Sequence, residues 1–180
     1  MSGLIRCRIP DELKHPLFFS IEAAEISRDG LQEWSTASDA PYFVYELLYW
    51  NGLGGYRPWE AVQPPLLNIF AQWEGIKQRA GLFFSERKAD DARLYMIDGL
   101  SLFMSALFWL HNQPVSLNKW KTSIATFPFK PVNTADRLSF ILSRPGLYHS
   151  FIQLGQLFVE LEKQYYKKEI VSKKTSKPGA

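Results

Sequence analysis

Apolar residues recur at helical spacing along most of this chain, and few stretches alternate as a half-buried strand does. From Pro64 to Ala80, Leu66, Ile69, Phe70, Trp73 and Ile76 share one face, while Asn68, Gln72, Lys77 and Arg79 look outward. That is an amphipathic helix, with Pro64 and Pro65 suited to its start and Gly81 to its end or to a bend. Asp91 to Asn112 is apolar on nearly every side, with Asp90 as its cap. Such a helix must be surrounded by others, and Pro114 stops it.

Weaker patterns fill in the rest. Phe43, Leu47 and Trp50 recur on one face of a helix that Asp39 can cap and that runs through Asn51, with Gly52 as its stop. A short helix is expected around Leu117 to Thr126. Another covers Ala135 to Leu142, capped by Asn133 or Thr134 and broken at Arg144-Pro145-Gly146. In the last helix, about Leu147 to Glu169, the residues Leu147, Phe151, Leu154, Phe158, Leu161 and Tyr165 step alternately by four and three. The seam is too short for a sustained coiled coil and reads as an intramolecular packing stripe. Pro16 to Thr36 is ambiguous, with two short helices around Asp29-Gly30 as one reading. The fold class expected is all-α: a compact domain of about five to seven helices around a central apolar helix, with no sheet beyond a minor hairpin.

Composition refines this picture. With 180 residues, 46% hydrophobic and 15% aromatic, the chain suits one globular domain with a ring-rich core. Residues 1–168 are expected to form it, and 169–180 a disordered basic tail, since Ser172 to Ala180 shows no apolar periodicity. The net charge of +3 is unevenly spread: from Lys163 onward six Lys face one Glu, so the preceding residues are net acidic. A nucleic-acid-binding domain normally carries its basic footprint on the folded surface. Cys7 stands alone, which excludes an internal disulfide and a Cys-based zinc site. The N-terminus has no signal-peptide pattern, and the longest run free of charge and His in the apolar centre, Gly99 to Leu110, falls short of the ~20 residues of a membrane span. A cytoplasmic protein without membrane contact is the expectation.

Candidate chemistry is sparse. The loop Trp50 to Glu60 gathers Trp50, Tyr56, Arg57 and Trp59 around Gly52, Gly54 and Gly55. It suits a binding loop in which Arg57 stacks on rings or grips an anion, and equally a helix stop pinned by aromatic side chains. It follows a helix and lacks the G-x-G-x-x-G order, so it is no dinucleotide fingerprint. Glu12 and His15 have the spacing of one di-iron ligand pair, but no second copy exists and Pro16 follows at once. His15, His111 and His149 are scattered, no G-x-S-x-G occurs, and His149 beside Ser150 is no dyad because adjacent helical residues diverge. No metal or cofactor is expected. Asp98, with Ser101, Ser105 and Asn112, forms a narrow polar seam on the apolar helix. A carboxylate there must be paired or neutral, and Arg137, Arg144 and His149 are the partners expected, either as a structural ion pair or as a catalytic cluster.

The run from Asn133-Thr134-Ala135-Asp136-Arg137-Leu138 through Arg144-Pro145-Gly146-Leu147-Tyr148-His149 to Phe158 resembles the YpoC-like proteins of Gram-positive bacteria. The pairs Tyr49-Trp50 and Pro58-Trp59 add to the likeness, which spans Pro41 to Lys168. The resemblance implies a small cytoplasmic helical protein of uncharacterised activity, with relatives encoded beside DNA-repair and replication-initiation genes. It draws attention to Arg137, Arg144, Tyr148 and His149 and carries no catalytic residue. No complete catalytic constellation is present, whereas rings and Arg beside Gly-rich turns suit protein recognition. The function expected is that of a non-enzymatic interaction or adaptor protein with another protein as partner. The alternative is an accessory nucleic-acid binder in replication or repair that uses the Lys-rich tail.

Overall fold

Ile5, Cys7 and Ile9 alternate with Arg6 and Arg8, and Ala24 and Ile26 alternate with Glu25 and Ser27. In the computed structural model, which describes residues 3–36 and 40–177, these stretches are strands β1 (Leu4–Arg8) and β2 (Ala23–Ser27). They pair antiparallel with Leu4 opposite Ser27 and Arg8 opposite Ala23, and Cys7, Ile9, Ala24 and Ile26 are buried. The helices considered for Pro16 to Thr36 are therefore replaced by a strand and turns. A long connection joins the strands, including a turn of 3-10 helix at Asp11–Leu13, so no two-residue turn announced the hairpin.

Six α-helices follow among the described residues: α1 (Val44–Trp50), α2 (Pro65–Ser85), α3 (Ala89–Leu110), α4 (Trp120–Thr126), α5 (Thr134–Ser143) and α6 (Tyr148–Thr175). The all-helical expectation holds apart from the small hairpin. α2 continues through Gly81 instead of ending there, because nothing forces a break and Leu82, Phe83 and Phe84 sustain it. Asp90 lies inside the first turn of α3, not at its cap, which is Lys88. The cap proposed at Asp39 lies outside the described residues. α1 enters directly from Phe43, whose φ of 56° places it in the left-handed region. α6 runs to Thr175, past the boundary expected at Lys168, as Lys and Glu propagate a helix well even where nothing covers them.

α3 is the centre. Leu100, Phe103, Met104, Leu107 and Phe108 have no exposed surface. This helix is long and apolar enough in composition to cross a membrane, yet 72% of its most apolar window is buried inside the protein. α2 and α6 pack on it closely at one point: a Cβ added to Gly99 would lie 2.6 Å from Trp73 Cζ3 and 3.2 Å from Leu154 Cδ2. Around that contact Trp73 stacks on Phe158 at 4.4 Å, and Phe103 meets Phe158 edge-on at 5.2 Å. Leu154, Phe158, Leu161 and Tyr165 of the α6 seam are all buried. It packs within the chain.

The C-terminal end of α3 is tied off by polar groups. His111 takes up Leu107 O through Nδ1 at 2.7 Å and the Phe129 amide through Nε2 at 3.2 Å. This is the pattern of a neutral ring with Nδ1 donating and Nε2 accepting. The ring stacks on Phe127 at 4.0 Å. Burial holds its pKa down at about 4. Lys168 reaches from α6 to donate to Leu110 O and to Asn112 Oδ1, satisfying a carbonyl that the helix end leaves free. The N-terminal layer docks just beyond: Glu12 O accepts from the Leu117 amide at 2.6 Å, and Trp50 Nε1 donates to Val115 O at 3.2 Å.

Candidate functional site

α1 is apolar from Phe43 to Trp50 except for one residue, Glu46. Its side chain is completely buried. Trp109 Nε1 donates to Glu46 Oε1 at 2.6 Å, and the Val115 amide donates to the same oxygen at 3.2 Å. The other oxygen, Oε2, has no partner among the described residues, nor has the buried Nε1 of Trp34. A neutral carboxyl is far less costly to bury than an anion. Accordingly burial pushes the Glu46 pKa up to about 7, against the opposing pull of the Trp109 and Val115 hydrogen bonds.

Trp34 and Glu46 both contribute to the wall of a cavity of about 500 Å³ between the segment leading into α1 and the helices α2 and α3, although the two unpartnered atoms themselves are closed to solvent. Trp34, Tyr42, Phe43, Tyr45 and Trp109 supply its rings; Gln72, Ser101 and Ser105 are among its neutral polar groups. Trp34 stacks on Tyr45 at 5.6 Å and meets Trp109 edge-on at 5.8 Å. Tyr45 is held in turn, its hydroxyl accepting from the Ser35 amide at 2.9 Å and donating to Ser35 O at 3.1 Å. The second carboxylate of the cavity is Asp98. Tyr42 donates its hydroxyl to Asp98 Oδ1 at 2.5 Å, and burial raises the Asp98 pKa although that hydrogen bond lowers it. Burial first, then the neighbouring Asp98, raise the Tyr42 pKa. No Lys, Arg or His is among the lining residues, and the intervening Ala37-Ser38-Asp39 contains none either.

Asp98 is thus half-buried, and its partner is a phenol rather than Arg137, Arg144 or His149. Arg137 is committed elsewhere: its guanidinium pairs with Glu160 at 3.0 Å, and its Nε donates to Gln153 at 2.9 Å, bracing α5 against α6. Arg144, Tyr148 and His149 are exposed at the α5–α6 corner. There Tyr148 packs against Phe84 at 5.7 Å and His149 against Phe140 at 5.4 Å. The cluster of Asp98, Arg144 and His149 is not assembled, since neither basic residue lines the cavity. Of the polar seam, Ser101 and Ser105 join Asp98 there, whereas Asn112 instead donates to Trp59 O at 3.0 Å.

The Trp50 to Glu60 loop packs partly inward and leaves Arg57 on the surface. Trp59 is buried, and Gly52 ends α1 with φ of 70°. Gly55 sits where a Cβ would strike Leu48 Cδ1 at 2.8 Å. Arg57 pairs with Glu60 at 3.0 Å and lies over the Tyr49 ring at 5.2 Å, on the surface. Only Tyr56 approaches the cavity, behind its wall, against Tyr45 at 5.9 Å and Trp34 at 6.5 Å. Glu46 and Trp34 escaped the sequence reading. A lone charge in an otherwise apolar helix was the available signal for Glu46, the same one that singled out Asp98.

Fold and cavity together define a small helical protein with a ring-lined, acidic recess beside its central helix. The chain belongs to the YpoC-like protein family, whose model matches residues 64–173. It is 34% identical over 116 residues to the relative named "Uncharacterized protein YpoC" from Bacillus subtilis (strain 168), a span of 64% of this chain and 71% of that protein. No solved structure matches it. The family match covers α2 to α6 and hence Asp98 and Trp109; Trp34, Tyr42 and Glu46 precede it.

Proposed function

We propose that this protein is a non-enzymatic interaction protein that receives a segment of a partner protein in the recess beside α3. One observation carries the reading: an open recess of about 500 Å³ beside α3 is lined by five aromatic side chains and the half-buried Asp98, with no Lys, Arg or His among its lining residues. A peptide offers amide donors for Asp98 and apolar groups for the rings. Rings arranged around such a recess are the side chains that dominate protein recognition.

Affinity purification from the native cell, with and without nuclease, tests this when the parent chain is compared with a Leu102→Trp variant that fills the recess from its α3 wall. Proteins captured by the parent, kept after nuclease and lost from the folded variant support the reading. An identical set from both sinks it.

A second reading rests on α6. Because the helix continues to Thr175, Lys163, Lys167 and Lys174 fall on one side of it at helical spacing, beside the exposed ring of Tyr166. Such a stripe suits phosphate contacts and base stacking by an accessory nucleic-acid binder. Affinity for single-stranded DNA that falls steeply with salt and vanishes on removal of residues 172–180 favours it; binding that survives both changes excludes it.

A further inference from the structure

α6 carries two apolar rows. Leu154, Phe158, Leu161 and Tyr165 form the buried one. At about 100° per residue, Tyr148, Ile152, Val159, Tyr166 and Ile170 fall on the opposite side of the helix. Each of these five is between 38% and 60% exposed.

From this second row we infer that α6 pairs with α6 of a second copy of the chain, antiparallel, about a two-fold axis at Val159. The order of the row carries the inference. Its members are spaced four, seven, seven and four residues apart, the same read in either direction. An axis at Val159 therefore sets Tyr148 opposite Ile170 of the second copy and Ile152 opposite its Tyr166. A two-fold interface requires a patch that complements itself, whereas an unrelated partner imposes no such symmetry.

Space and charge agree with that order. The same axis sets Lys163 opposite Gly155, where an added Cβ would meet nothing within 4 Å. Gly155 lies in an open depression of about 440 Å³ between α6 and Lys77 of α2. The aliphatic stem of Lys163 can lie there with its ammonium in water. Pro145 to Val159 contain no charged side chain, whereas Lys163 to Lys174 hold five Lys and one Glu. Parallel helices would set the two basic runs side by side; antiparallel ones lay each run along an uncharged stretch. The row spans about 33 Å of helix, a contact at the small end of specific interfaces, under about 1,200 Å² in total. The dimer is accordingly weak, half dissociated at about 10–100 μM.

None of the row lines the recess beside α3, so this pairing is tested independently of the capture experiment. Sedimentation equilibrium of the nuclease-treated full chain between about 5 and 500 μM tests it. The average mass should climb from the chain's 20.8 kDa towards twice that value, and should do so equally at high salt. Val159→Glu puts two carboxylates face to face at the axis and should weaken association at least about tenfold, in a chain whose far-UV spectrum matches the parent. Bismaleimidoethane reads the direction. A mixture of Ile152→Cys and Tyr166→Cys chains should link across the two variants, and neither alone should link beyond the parent, whose Cys7 is buried. Should Val159→Glu unfold, the cross-links decide.

A parent that stays at 20.8 kDa throughout would overturn the dimer. So would association lost at high salt or on nuclease treatment, the mark of nucleic acid holding the chains together. Association undiminished in Val159→Glu would overturn the face, and Ile152→Cys chains linking to one another would overturn the antiparallel order.

Discussion

Two polar clusters sit within two residues of each other at the C-terminal end of α3 and are finished differently. Around His111 the accounts close: both ring nitrogens are engaged, the ring is stacked, and Lys168 takes up Leu110 O. Around Trp109 they do not, because the indole satisfies one oxygen of Glu46 and leaves the other unmatched. A buried network with every member satisfied fixes a fold, whereas a half-satisfied one costs stability. The first cluster is structural. The second carries an uncompensated carboxyl oxygen, and only its partial neutralisation keeps the cost modest.

The largest expected effect tests the closed cluster. His111→Ala removes the stacked ring and two hydrogen bonds and should destabilise by about 2–4 kcal/mol in urea unfolding. Glu46→Gln should cost under about 1 kcal/mol near pH 6, because an uncharged amide keeps an acceptor for Trp109 and Val115. If the Glu46 variant proved the more damaging of the two, the contrast would be inverted. Next in size is Gly99→Ala, which should lose about 1–3 kcal/mol to overpacking against Trp73 despite its better helix propensity. A melting temperature above the parent's would show that α2 yields there.

The clusters should also respond oppositely to pH. Glu46 titrates at about 7 when folded against an ordinary 4.5, so the stability it contributes is complete below pH 4.5 and drains away as pH rises to 7. Asp98, also raised, acts in the same direction. His111 titrates at about 4 against 6.5, so its contribution is complete above pH 6.5 and drains away as pH falls to 4. The two slopes oppose each other in the parent. In Glu46→Gln the histidine slope should emerge, with urea midpoints falling as pH drops from 6.5 toward 4; a profile unchanged from the parent would refute the Glu46 assignment.

Smaller effects remain. Asp98→Asn should cost about 0–1 kcal/mol, since the phenol of Tyr42 can still donate to an amide oxygen and no buried cation is stranded. A loss of 3 kcal/mol or more would restore an ion pair there. Removing Ser172 to Ala180 should leave the melting temperature unchanged within error, because the described part of that segment is exposed helix. A fall of several degrees would mean that it docks.

How much of this was legible in the sequence follows from how far apart the interacting residues lie. α2, α3 and α6 were readable because their burial repeats every three to four residues, and local periodicity records it. The hairpin was missed because five-residue strands separated by a long connection leave only a faint alternation. Asp98 was rightly singled out as a charge in an apolar helix, but its partner was sought among arginines, while the structure supplies a tyrosine from an irregular segment 56 positions away. Nothing local to Tyr42 marks that role. Trp34 was invisible for the same reason: its unmatched indole becomes apparent only when the segment before α1 folds against α3.

The missing side chain at Gly99 has a consequence beyond packing. Its contact with Trp73 sets the separation of α2 and α3 at the level of Asp98 and Gln72, which line opposite walls of the recess. The absent methyl therefore acts as a gauge. Any group added there would lever the walls apart, so the width of the opening is governed by a residue that does not line it.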